Sequence, residues 1–544
     1  MEFPFRSLNW MVVGCGDFAL RLLHALMKRT PFFPVLALSL LCAASLNAAT
    51  ITVTTAVDEL DFPSGPSLSL REALRDAIAA VGEDTVVFSP SLSGQTLVLT
   101  SQISINMNTV GNVIVDASSL PGGLTLSGSG ACRLFLVTGS GGAVSLVGLV
   151  LTSGNGVGGG VNGIGGAIYN LNGTLNLDHC TFINHATNIG GAVMNNGGTL
   201  TVQRSTFASN SANDSGGAIN HAGINSLNVE RCTFSGNSAS NNGGALYNAG
   251  AANLTQCTFT SNSSLSGGAI FSQMSSSLAL THCTVTNNSA ENSGGGIRLN
   301  YAALTLTNSI VAGNSSPSGL GLDIGNSGGS PFGASTVTRV GANLVQSLLN
   351  SGNLASDSGP AAISEAPLLS PLGHFGGLTQ TVALLPGSPA RNAAIGSSSS
   401  SDQRGFPILA TADIGAYEAG SITNFENFIW ETLPVTATSP QHATTFDYDG
   451  DGHTNEAEWI ALTDPISASS RFEATSERQA ANLEITVPTA SGRLYTLHES
   501  ATLAGDSWTA VSGSVPLSGN GSPITFQIPI SSDSRFYRVQ VSLL

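Results

Sequence analysis

Residues 165–189 read GGAIYNLNGTLNLDHCTFINHATNI, and residues 190–215 read GGAVMNNGGTLTVQRSTFASNSANDS. The glycine phrase that opens both returns at 216, 243, 267 and 294, at intervals of 24 to 27 residues. A second landmark keeps step with it: CTF at 180, STF at 205, CTF at 232 and 257, CTV at 283 and SIV at 309. A third is an asparagine, at Asn184, Asn210, Asn237, Asn262, Asn288 and Asn314. Leucine-rich repeats have a similar length, but they need a helix or an equivalent return segment in a fixed leucine frame. In this chain the apolar residues come as short alternating pairs between Gly and Asn corners, which is the grammar of strands and turns.

Three short strands and three turns consume about 25 residues, and parallel coils stack about 4.8 Å apart. The repeat therefore predicts an all-β chain built on a parallel β-helix, regular over 165–316 and extending from about residue 85 to about residue 420. Alternation turns Phe182, Phe207, Phe234 and Phe259 inward as one stack and Leu175, Leu200, Leu227, Leu254 and Leu280 as another. GGA supplies a corner where φ can be positive and bulk is excluded. The asparagine column is expected to hydrogen-bond up and down the stack as a ladder. Cys180, Cys232, Cys257 and Cys283 share one phase, with Ser205 at the same phase in the second unit. In-register parallel strands point such Cβ atoms side by side, so buried free thiols are expected rather than disulfides.

The 544 residues carry 18 basic and 34 acidic side chains, a net charge of −16, which excludes a nucleic-acid partner because polyanions are bound by clustered Lys and Arg. The one lysine, Lys28, lies in MKRTPFFPVLALSLLCAASLNAAT, whose basic start, apolar run and small-residue end make residues 27–49 a secretory signal. Residues 1–26 then read as an over-extended gene start. No other stretch is long and apolar enough to cross a bilayer. The expectation is a secreted protein, extracellular or held at a bacterial cell surface, without a transmembrane span in its mature form and monomeric.

Residues 50–84 read as an N-terminal cap. Ser69 and Glu72 form a capping box for a helix over 69–81 whose Leu70, Leu74 and Ile78 share one face, a plug for the open end of a solenoid. The segment ITVTTAVDELDFPSGPSLSLREALRDA resembles the CSLREA segment of secreted bacterial β-helix proteins, with Leu68 where that motif has its cysteine. The GGA-I and F-x-x-N units resemble the repeats of chlamydial polymorphic outer membrane proteins. Residues 371–418, with DQRG and DIGAYE, are similar to the end of the choice-of-anchor Q family. These resemblances imply an exported right-handed β-helix at the cell surface, with variable anchorage and no known reaction.

DYDGDGHTNEAE, residues 447–458, places Asp447, Asp449 and Asp451 at positions 1, 3 and 5 of a calcium loop, Gly452 at 6, Asn455 at 9 and Glu458 at 12. His453, at position 7, offers its carbonyl. Within the linker 421–470, EAEWIAL supplies an exit helix, but Pro440 and HATT leave no good entering helix. The segment therefore resembles a dockerin or thrombospondin type 3 loop, and a structural calcium is expected rather than a regulatory one. Residues 471–544 alternate apolar and polar in LEITV, LYTLHE, ITFQI and RFYRVQV, predicting a small β-sandwich.

Parallel β-helices also carry pectate lyases and polygalacturonases, so catalysis is the rival reading. Between 145 and 316 the charged residues are only Asp178, Arg204, Asp214, Glu230, Arg231, Glu291 and Arg298. Arg204 and Arg231 fall at nearly one phase near Asp178 and Glu230, yet corner charges on a solvated face account for them, and the coils hold no paired carboxylates at a hydrolase gap. No catalytic residue is assigned. Long Ser, Thr and Asn faces suit repeated hydrogen bonds to a polysaccharide or another cell-surface ligand, so a non-catalytic adhesin is expected, with a lyase or hydrolase and a structural envelope spacer as alternatives.

Overall fold

One coil shows how the repeat becomes structure. Residues 168–189 form four strands, Ile168–Leu171, Thr174–Asp178, Thr181–Ile183 and Ala186–Ile189, each joining a different sheet. The next coil repeats them in register, with Leu175 beside Leu200 and Phe182 beside Phe207. The computed structural model describes residues 48–544 apart from 63–64, 80–81, 109–110, 160, 318, 320, 328–333, 349–353 and 531–533. Residues 1–26, and all but the last two of the signal 27–49, lie outside the described residues.

The whole is a parallel β-solenoid of about 9 turns. Its first sheet has 12 strands, from Thr50–Val53 to Leu354–Ser358; the second, which holds the CTF strands, has 10; the third, after the glycine phrase, has 9. A fourth sheet of five short strands was not expected from the polar runs that form it. These runs alternate, and their inward residues Thr187, Ala212, Ala239, Ser264 and Ala290 are small enough to be buried at a tight edge.

The core is a set of columns. The rings of Phe182, Phe207, Phe234 and Phe259 stack with centroids 4.6, 4.9 and 4.5 Å apart, within the range of favourable ring contacts. All five described cysteines are buried and free, and burial pushes the Cys180 thiol up to about 12. The glycine phrase does two jobs. Its first glycine has positive φ in all six copies, 54° to 70°. A Cβ on its second glycine, in the five copies from Gly166 to Gly268, would collide with the carbonyl of the matching glycine one coil on.

The asparagine ladder forms, with one correction. Nδ2 of Asn210, Asn237, Asn262 and Asn288 each donates to Oδ1 of the next asparagine at 2.9 Å, and Asn314 ends the run on Asp323 at 2.9 Å. Asn184 is not a rung: with φ 58° it occupies the preceding corner, and His185 takes the ladder position. His185 Nδ1 accepts from Gly154 N at 2.9 Å and Nε2 donates to Leu151 O at 3.0 Å, so the ring is neutral; burial, opposed by these bonds, lowers its pKa to about 4.

The solenoid starts earlier and stops sooner than expected. Thr50–Val53 pairs in parallel with Gly82–Phe88 as the first strand of sheet one, so residues 50–84 are part of the stack. Helix α1, Leu70–Ala79, crosses between them and buries Leu70, Ala73, Leu74 and Ala77 over the end of the coils. Its capping box is present: Ser69 N donates to Glu72 Oε2 at 2.9 Å and Glu72 N to Ser69 Oγ at 3.2 Å.

At the other end the last coil strand is Leu354–Ser358, not residue 420. The following segment turns back and runs along the outside of the second sheet as a strap. No proline falls between 122 and 316, whereas residues 360–407 hold six, and a proline cannot donate to a strand ladder. DQRG and DIGAYE fasten this strap. The Arg404 side chain is fully buried, donates to Asp402 Oδ2 at 2.7 Å and to Glu418 O at 2.5 Å, and lies over the Tyr417 ring. Beyond it come helix α2, Phe425–Thr432, helix α3, Asn455–Ala461, and two small antiparallel sheets that share a core of Ile485, Val487, Tyr495, Leu497, Phe526 and Ile528.

Candidate functional site

Two places gather chemistry-bearing side chains, one in the acidic loop and one along an outer corner of the solenoid.

The acidic loop is held in a tight curl by its own carboxylates. Asp447 Oδ1 accepts from Gly450 N at 2.8 Å and Oδ2 from Gly452 N at 2.9 Å; Asp449 Oδ1 accepts from Asp451 N at 3.1 Å and Asp451 Oδ1 from His453 N at 2.8 Å. Gly452, with φ 96°, takes the turn that a side chain would strain. One carboxylate oxygen from each of Asp447, Asp449 and Asp451 lies within 4.8 Å of the others.

Glu458 comes in from α3, only 1% exposed. Both of its oxygens, and Asp449 Oδ2, are buried with no hydrogen-bond donor. Asp451 Oδ2 likewise accepts no hydrogen bond, with the Arg471 guanidinium 3.3 Å away. Burial first, then the charges of Asp449, Asp451 and Asp447, push the Glu458 carboxyl up to about 7. Buried carboxylate oxygens without donors are costly, and three aspartates converging within 4.8 Å, with Glu458 outside that group but near enough to feel their charges, fit a calcium site.

The remaining two expected ligands differ in what they do. Asn455 Nδ2 ties the preceding turn by donating to Gln441 O at 2.8 Å and Ala443 O at 2.9 Å, leaving Oδ1 buried without a donor. His453, expected through its carbonyl, places its ring against Asp451 Oδ1 at 3.1 Å. No α-helix enters the loop directly; a short 3₁₀ turn, Ser439–His442, stands there.

The loop also sits at a joint. Phe428 of α2 packs on Trp459 of α3 with centroids 5.7 Å apart. From the C-terminal sheets, Arg493 donates to Trp459 O at 2.7 Å and Ile460 O at 2.8 Å and lies over the Trp459 ring at 4.6 Å.

The second place is a column of corner residues, one per coil, each just before the Cys or Ser of its unit: His179, Arg204, Arg231, Gln256, His282 and Asn308. All have φ between 45° and 54°. Arg204 Nε donates to Asp178 Oδ1 at 2.9 Å and its Nη2 meets Oδ2. Arg231 donates to Gln256 Oε1 at 3.1 Å and Ser401 Oγ at 2.6 Å. The pair singled out from sequence thus belongs to one column, and each member is engaged. The column could have been read from sequence as the residue preceding every C-T-F; its mixture of His, Arg, Gln and Asn hid it. Beside His179 and Arg204 lies a cleft of about 260 Å³.

Residues 161–338 match the family model described as a right handed beta helix region. The solenoid is a right-handed parallel β-helix. No curated protein matches the chain. Among the described residues, no helix of this β-helix protein is long and apolar enough to cross a membrane.

Proposed function

We propose that this protein is an exported, non-catalytic binding protein of the cell surface, an adhesin whose partner is a polysaccharide or another surface ligand, and that a structural calcium braces its tail. The observation that carries the binding reading is the outer face of the first sheet. There Thr174 stands beside Thr199, and Asn176, Thr201, Asn228 and Asn253 form a row held in register coil after coil. Asn253 Nδ2 donates to Asn228 Oδ1 at 3.0 Å, so the row is preorganised and its members offer donors and acceptors at a fixed repeat. Many weak contacts at such a repeat add up when the ligand is itself a polymer.

The calcium reading rests on the donor-free oxygens of Asp449, Asp451 and Glu458. Asp447, Asp449, Asp451 and Glu458 would hold the ion, with the His453 carbonyl and Asn455 completing the set. Bound there, calcium would neutralise the mutual repulsion of four buried or half-buried carboxylates.

A polysaccharide lyase or hydrolase is the second reading, and the cleft beside His179 and Arg204 is the observation in its favour. One experiment separates the two: the protein is exposed to a polysaccharide panel with calcium, and retained binding and new reducing or unsaturated ends are recorded. Binding without products is expected. Products would overturn the adhesin in favour of the enzyme, and neither binding nor products would leave a structural envelope spacer.

A further inference from the structure

The corner column is a track that is occupied on four of its six coils. Over the coils of Arg231 to Asn308 the strap fills it. Asn308 Nδ2 donates to Ile395 O at 3.2 Å, and His282 Nε2 meets Ser397 Oγ at 2.8 Å. Gln256 Nε2 donates to Ser401 O, and Arg231 to Ser401 Oγ at 2.6 Å. Beside the column, the outward threonines of the second sheet are used in the same way. Thr233 Oγ1 donates to Gln380 O, Thr258 Oγ1 to Gln403 Oε1 at 2.6 Å, and Thr284 Oγ1 accepts from Ala416 N at 3.0 Å. Those three threonines are buried, at 0%, 0% and 2% exposure.

The cover then stops. Leu378, 56% exposed, is the strap residue that reaches the coil of Arg204. Beyond it the same two columns continue as His179 and Arg204 and as Thr181 and Thr206, with both corner residues exposed and both threonines half-buried. These four side chains, Leu378 and Pro121 line the cleft of about 260 Å³.

We propose that this open stretch docks a serine- or threonine-rich polypeptide segment of a partner protein, which continues in trans the line that Ile395–Ser401 follows in cis. The inference goes beyond the binding reading above: it adds a separate surface, on the corner and the second sheet, and names one ligand for it. The class follows from the covered stretch, where the side chains of both columns meet main-chain carbonyls, a main-chain amide, serine hydroxyls and an amide oxygen. His179, Arg204, Thr181 and Thr206 present the same kinds of group one and two coils further along. Arg204 is paired with Asp178, so the site does not select for an acidic ligand. A saccharide is the competing class, and the test distinguishes it.

The probe is a fluorescein-labelled synthetic peptide with the sequence of residues 394–402, AIGSSSSSD, titrated into the full chain and followed by anisotropy. Saturable binding is expected. Thr206→Trp, which fills the cleft, and Arg204→Ala should each weaken it at least about tenfold, a loss readily resolved in a titration. Val515→Ser, at an exposed position of the C-terminal region, should leave it unchanged. Melting curves establish that the variants are folded, and Leu378→Ser stands in for Thr206→Trp if the latter is not. No binding to the unaltered chain, or binding indifferent to the cleft variants, would overturn the proposal. Displacement of the peptide by neutral oligosaccharides would overturn the polypeptide class. Retention on polysaccharide beads, measured in parallel with Thr206→Trp, reports on the general binding reading separately, because the polar row of the first sheet is untouched by that variant.

Discussion

Asn237 donates through Nδ2 to Phe207 O and to Asn262 Oδ1, both at 2.9 Å, and its own Oδ1 receives Asn210. Asn237→Ala leaves donors and acceptors of two neighbouring coils unmatched in a dry interior. It should cost about 3 kcal/mol, the sum of one or two unmet buried hydrogen bonds, read as a lower urea midpoint at unchanged m. Asn253→Ala, on the exposed face, should stay within about 0.5 kcal/mol. Gly217→Ala should be as damaging as the ladder variant, because the added Cβ would meet the carbonyl of Gly244 and no flexible side chain is there to yield. The ladder was legible because asparagine recurs at one phase, and its exception shows the limit of that signal. Asn184 satisfies the residue type but lies one position early, where φ is positive, a conformation asparagine tolerates well. The true rung, His185, offers an acceptor in a different shape, and only the geometry of Gly154 N reveals it.

At the scale of elements, the strap is the part that sequence periodicity could not place. Its strands are short, its prolines forbid a coil, and what fixes it is a set of contacts between residues more than a hundred positions apart, such as Thr258 with Gln403. The capping helix was readable because its cap and its apolar face are both local. The strap clasp should respond to pH. Glu418 accepts from Leu409 N at 3.0 Å and Asp413 N at 2.9 Å, but burial, with Asp413 and Asp402 nearby, pushes its carboxyl from 4.5 up to about 7. A folded-state value above the unfolded one means that folding takes up a proton. The stabilisation is complete below about pH 4.5, declines as pH rises through about 7 and is then lost, and the raised Asp413 acts in the same sense. Urea midpoints should therefore fall between pH 5 and pH 8 by an amount equivalent to about 1–3 kcal/mol, and Glu418→Gln should flatten the profile. A profile unchanged by that substitution would show that the clasp does not titrate in this range.

Across the whole molecule, the acidic loop lies between the solenoid and the C-terminal sheets, so calcium should act on how firmly the two are joined. At a free calcium concentration a hundredfold above the dissociation constant, the tail should gain about 2.7 kcal/mol, seen as a higher melting temperature that a chelator reverses. Asp451→Ala should abolish the response, and an unchanged calcium response in that variant would exclude the loop as the site. The spacing of the acids was readable in the sequence. The joint was not, because Arg493, which grips the end of α3, lies in a strand that alternation alone describes as ordinary. The asparagine ladder carries one more consequence at this scale. Each interior rung presents the same donor to one neighbour and the same acceptor to the other, and only His185 and Asp323 differ at the termini. A duplicated unit of about 26 residues inserted between them would find both partners waiting and would lengthen the stack by about 4.8 Å. Height in this protein is thus a heritable count, adjustable by copying a module in the gene without redesigning what lies above or below it.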